Sequence, residues 1–146
     1  MYSLLRFAHL GLACVWLGGL LAALIVDLTL APAGEAVRAR LSRFHWALAA
    51  CVETPAFLGV FLTGAYILSS PHTAGLGFQV MVTAGVLAIF LSVFKVWLTY
   101  KRLLAMRRSS WLAYEKLSYY QGILGYLVLV GVLVATLAGA MSRIGV

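Results

Sequence analysis

Four long apolar stretches, separated by short polar connections, restrict this chain to one kind of architecture. They cover residues 3–31, 45–69, 78–100 and 119–141. A membrane-crossing helix needs about 20 mainly apolar residues. Inside a bilayer the backbone must satisfy its own hydrogen bonds, so each stretch is expected to be helical. With 64% apolar and 10% charged residues among 146, the chain has a core to bury only against itself and lipid. The expected fold class is therefore all-α, an integral membrane four-helix bundle forming one domain over residues 1–146. The first stretch exceeds the usual ~17–25 residues of a span, so it tilts or protrudes. It is not read as a signal peptide, because it lacks a basic start and a small-residue cleavage site.

The net charge of +7 is distributed by topology. Arg38, Arg40 and Arg43 lie between the first two stretches. Lys101, Arg102, Arg107, Arg108 and Lys116 lie between the last two, and residues 70–77 hold no Lys or Arg. The positive-inside rule places both basic connections in the cytoplasm and both termini outside. The expected location is a plasma membrane of the bacterial inner-membrane kind. No basic groove interleaved with aromatics suggests a nucleic-acid partner. Cys14 and Cys51 sit at different depths, too far apart for an easy disulfide, and read as packing residues.

Punctuation along the chain is sparse. Pro32 ends the first helix, and residues 70–75 have the composition of a tight turn. Residues 34–44 are basic and suit a helix running directly into the second span. Residues 101–118 are amphipathic, with Trp111, Tyr114, Tyr119 and Tyr120 suited to an interfacial belt and Ser109 or Ser110 to a helix cap. Gly11, Gly18, Gly19, Gly59, Gly64, Gly131, Ala135 and Gly139 suit close helix packing, since lipid supplies no hydrophobic drive between helices.

Two polar groups inside the apolar stretches carry the functional argument. His9 lies near the outer end of the first, where an imidazole needs a partner. Trp16 shares its helix face, and Arg6 lies one turn outward, where a haem propionate would want a cation. Thr63, Tyr66, Gln79, Thr83 and Thr136 are expected at comparable depth, and His72 in the nearby connection. The alternative is a histidine hydrogen-bonded to a neighbouring helix. Deeper in, Asp27, Glu53 and Lys95 form a second polar cluster. Glu53 and Lys95 are the expected pair, with Asp27 able to join, His45 and Gln121 close by, and Lys95 also able to snorkel. Pro55 removes the helix bond to the Cys51 carbonyl near Glu53. This cluster reads either as a proton path or binding site, or as an ion pair fixing helix register.

These residues, with their context, resemble the four-span haem-binding membrane superfamily that includes HemJ-type protoporphyrinogen oxidases and CopD-like copper-resistance domains. The resemblance rests on His9-Leu10 followed by Val15-Trp16-Leu17-Gly18-Gly19, and on Arg43 before Thr54-Pro55-Ala56 and Leu62-Thr63-Gly64. It loosely covers nearly the whole chain, and the first-span segment is its specific part. It implies haem b with His9 as the axial iron ligand, and an oxidoreductase of HemJ type as one outcome. The chain departs from that pattern where Gln79-Val80-Met81 stands in place of a lysine, and where Tyr119-Tyr120-Gln121-Gly122 opens the fourth span. Both departures weigh against porphyrinogen oxidation, which leaves electron transfer or another tetrapyrrole-related role. The alternative is a non-catalytic subunit or assembly factor of a membrane complex. A small transporter on Asp27, Glu53 and Lys95 is a third reading. The expected surroundings are lipid, together with a membrane protein complex or a homo-oligomer.

Overall fold

The computed structural model describes residues 2–30, 34–69 and 75–144. The expected stop at Pro32, the turn at 70–74 and His72 lie outside these residues. The described chain is helical throughout: α1 is Tyr2–Leu30, α2 Glu35–Leu48, α3 Thr54–Leu68, α4 Leu76–Arg107 and α5 Trp111–Ile144. A π-helical turn, Ala49–Glu53, joins α2 to α3 without a break. The result is four helical rods, each long and apolar enough to cross a membrane.

The rods overrun the apolar stretches at the basic end. The second starts at Glu35 and the third continues to Arg107. Lys101–Arg107 extends α4 as helix, and the connection from there to α5 is short. Its geometry is a Schellman cap, in which Ser110 N–H donates to Ala105 O and Ser109 N–H to Met106 O. Ser109 occupies the left-handed position, with φ 52°. Glycine usually fills that position because it has no Cβ to clash.

Pro55 explains the π-helical turn. A proline inside a helix lacks an N–H, and its ring clashes with the carbonyl four residues back. Here the helix widens just before it. The Thr54 hydroxyl and the Thr54 N–H both donate to Ala49 O, the former at 2.7 Å. The accommodation therefore begins at Ala49, upstream of the Cys51 carbonyl to which the proline spacing points.

Packing runs in two pairings. α1 lies along α3, and α4 runs antiparallel to α5. Trp16, Leu20, Ala56, Phe57, Ala88, Val128 and Val132 form the central core, with the Trp16 and Phe57 ring centroids 5.9 Å apart. Small residues set the close approaches. A Cβ at Gly131 would stand 3.2 Å from the Ala88 Cβ, and one at Gly59 would collide with the Leu12 side chain. Gly11 and Gly18, by contrast, face open space. Cys14 and Cys51 both lie on exposed faces, so they do not pack inside this chain as their residue type suggests. Cysteine is apolar enough to face lipid.

Candidate functional site

Of the residues expected at its depth, His9 meets Thr63. The ring is half-buried on α1, and Nδ1 lies 2.7 Å from Thr63 Oγ1 on α3. The Thr63 hydroxyl donates its proton to the Gly59 carbonyl at 2.6 Å. With that proton on Gly59, the Thr63 oxygen can accept from Nδ1, an arrangement open to the Nδ1–H tautomer of His9. Gly64 makes room for the ring, since a Cβ there would lie 3.2 Å from His9 Cε1. Gln79 and Thr83 are exposed, and Thr136 bonds back to Val132 O on its own helix. Arg6 is exposed one turn from His9. Trp16 belongs to the central core, and its Nε1 is buried with no hydrogen-bond partner among the described residues.

The second cluster occupies the basic end. Glu53 and Lys95, 2% and 5% exposed, are joined by two bonds. Lys95 Nζ donates to Oε1 at 2.8 Å and to Oε2 at 2.7 Å. Gly19 lets Glu53 approach α1, because a Cβ there would stand 3.2 Å from Glu53 Cγ. The expected pair is therefore present, and Lys95 does not snorkel outward. Asp27 does not join it. Its Oδ1 instead faces His45 Nε2 at 3.5 Å, and the same nitrogen lies 3.5 Å from Ala23 O. Both contacts are long, and His45 Nδ1 is buried without a partner among the described residues.

Arg102 and Tyr114 enter this cluster, although their positions in the sequence point to topology and the aromatic belt. Arg102 Nη1 donates to Gln121 Oε1 at 3.1 Å and Nη2 to Tyr114 Oη at 2.8 Å. The guanidinium also lies over the Tyr114 ring, 5.0 Å from its centroid. A signal for Arg102 is present in the sequence. Ala88, Ser92, Lys95, Thr99 and Arg102 alternate in steps of four and three, which marks one helix face, and all five are buried.

A cleft of about 490 Å³ opens beside this cluster, between the basic halves of α1 and α5. Leu20, Leu24 and Leu28 line one wall, Gly122, Gly125 and Leu129 the other, with Arg38, Lys95 and Arg102 among its polar residues. His9 and Asp27 are separated by roughly 27 Å of helix at 1.5 Å per residue, so His9 and this cleft are distinct places. Among the described residues, no group of three or more His, Cys, Asp or Glu gathers as a metal cage. A haem iron does not need one, since one protein nitrogen serves as its axial ligand. No family model matches the chain, and neither a curated protein nor a solved structure matches it.

Proposed function

We propose that this chain is an integral membrane haem b-binding protein with an electron-transfer or tetrapyrrole-related role. In this reading both termini face outward, the basic connections face the cytoplasm, and His9 is the axial ligand. One observation carries it: His9 Nδ1 lies 2.7 Å from Thr63 Oγ1, whose hydroxyl also reaches the Gly59 carbonyl at 2.6 Å. Metal-binding histidines typically donate the remote ring N–H to a fixed acceptor, which orients the ring and raises the basicity of the ligating nitrogen. The Thr63 oxygen is placed to be such an acceptor when its own proton is on Gly59.

The donor chemistry at His9 fits a haem iron. The α1–α3 seam limits where the macrocycle lies, because Leu12 against Gly59 and His9 against Gly64 close that seam at this level. A haem on His9 therefore lies outside the contact between these two helices. Arg6, one turn outward, is placed to pair with a propionate, and the Trp16 N–H is a buried donor on the same face of α1. When bound, the haem supplies one-electron chemistry, tuned by its axial ligand and pocket polarity.

The test is visible spectroscopy of the full chain purified in mild detergent, oxidised and dithionite-reduced, beside His9→Ala. A Soret band and a reduced α-band that vanish in His9→Ala support the proposal. A colourless protein that takes up no added haem overturns it. The second reading, a non-catalytic subunit or assembly factor, draws on the Glu53–Lys95 pair, which is closed on itself and suits a register lock. That reading predicts a colourless protein whose accumulation depends on a co-expressed membrane partner.

A further inference from the structure

We infer that the cleft between α1 and α5 at the basic end binds the phosphate headgroup of an anionic phospholipid, with Arg102 supplying the countercharge. This inference does not rest on the haem reading, since the cleft lies at the opposite end of α1 from His9.

The argument starts from charge. Arg102 is 2% exposed, and no carboxylate among the described residues lies within ion-pair distance of it. The other charges in the neighbourhood have opposite-charge or histidine contacts. Lys95 is bound by Glu53, Arg38 lies 3.5 Å from Glu115, and Asp27 faces His45. Among the described residues Arg102 meets the neutral oxygens of Gln121 and Tyr114 and the face of the Tyr114 ring, and its Nε is buried with no acceptor. A guanidinium cannot shed its proton to escape burial, so an uncompensated one is costly. An anion in the cleft supplies the missing charge. The surrounding groups suit it: the Tyr114 hydroxyl accepts from Arg102 and has its own proton to give, and the Gln121 amide nitrogen is a donor.

The shape identifies the anion as amphiphilic. Arg102 lies just past residue 100, where the third apolar stretch ends, which is headgroup depth in a bilayer. From there the cleft continues toward the middle of the rods between Leu20, Leu24 and Leu129. Gly122 and Gly125 keep this seam open. A Cβ at Gly122 would meet nothing within 4 Å, and one at Gly125 only the Lys95 side chain at 4.0 Å. A phosphate at Arg102 with an acyl chain along the glycine seam fills both parts. A zwitterionic lipid carries the same phosphate, but its trimethylammonium group would stand among Arg38, Lys95 and Arg102.

The experiment is native mass spectrometry of the full chain in detergent, with phosphatidylglycerol, phosphatidylcholine or inorganic phosphate added. The wild type is expected to retain phosphatidylglycerol about tenfold better than phosphatidylcholine, because the trimethylammonium group meets like charge at Arg102. Arg102→Met is expected to bring the two lipids to parity. Gly122→Leu fills the acyl seam without a clash on its own helix and improves helix propensity, so it folds and is expected to lose phosphatidylglycerol retention. Equal retention of both lipids by the wild type overturns the inference. So does phosphatidylglycerol retention that survives undiminished in Gly122→Leu, which decides the matter if Arg102→Met does not fold. Arg102-dependent binding of inorganic phosphate with no lipid retained would reassign the cleft to a free anion and also refute the lipid.

Discussion

Neutralising one member of the Glu53–Lys95 pair is expected to be far more damaging than neutralising both. The two groups are almost fully buried and joined by bonds of 2.7 and 2.8 Å. At an effective dielectric of about 20, charges 2.7 Å apart attract by about 6 kcal/mol. Desolvation costs several kcal/mol per ion, so the intact pair contributes little net stability. Breaking it strands one buried charge, which typically costs about 3–5 kcal/mol. Lys95→Met and Glu53→Leu are each expected to fall in that range, while the double variant is expected to lie within about 2 kcal/mol of wild type. The assay is unfolding in mixed micelles with a rising fraction of sodium dodecyl sulfate, monitored by tryptophan fluorescence and analysed as a double-mutant cycle. Single variants costing under about 1 kcal/mol, with additive effects in the double, would refute the reasoning. They would mean that water or a rotated helix solvates the charges in place of their partner.

Three further predictions concern separate regions. If the haem proposal holds, Thr63→Val, which keeps the shape but removes the contact to His9 Nδ1, is expected to lower haem affinity about 10–100-fold in a haem-transfer titration, with the Soret band retained at saturation. Ser109→Gly relieves a left-handed residue and is expected to stabilise the chain by about 1 kcal/mol, seen as a raised thermal midpoint in detergent. Gly131→Leu forces a side chain against Ala88 and the Ala84 carbonyl; a loss of about 1–3 kcal/mol or more is expected, against a gain or no change for Gly18→Ala, where the space is open.

The sequence makes some of this legible for identifiable physical reasons. Helices long enough for a bilayer are visible because hydrocarbon enforces length and composition together. The Glu53–Lys95 contact is legible because a lone buried charge in such a helix is too expensive to lack a partner. Thr63 is legible as one of five candidates for His9, since depth alone does not tell which face a side chain occupies. Arg102 is obscured by position. It falls in a run of basic residues whose usual work is topology, and only its spacing from Lys95 shows that it turns inward. The continuous rod from residue 34 into the second span and a His45 near the cluster are legible, but the partner of Asp27 is not, because spacing does not tell which of the neighbouring polar groups a side chain faces. Cys14 and Cys51 read as inward on residue type, which says little about facing when the surroundings are themselves apolar.

The π-helical turn accounts for one detail that residue spacing leaves unexplained. His45 and Glu53 are both buried though eight residues apart, where a regular helix would bring position 52 to the inner side. The widened turn absorbs one residue, so the two halves of the long rod keep a common facing. The segment Ala49–Glu53 is thus an insertion accommodated in place. A chain lacking Ala50 would count seven from His45 to Glu53 and could close the rod as an uninterrupted α-helix with both residues still inward. In genetic terms, this is a place where the length of a long apolar rod can change by a single codon without scrambling the facing of the residues downstream.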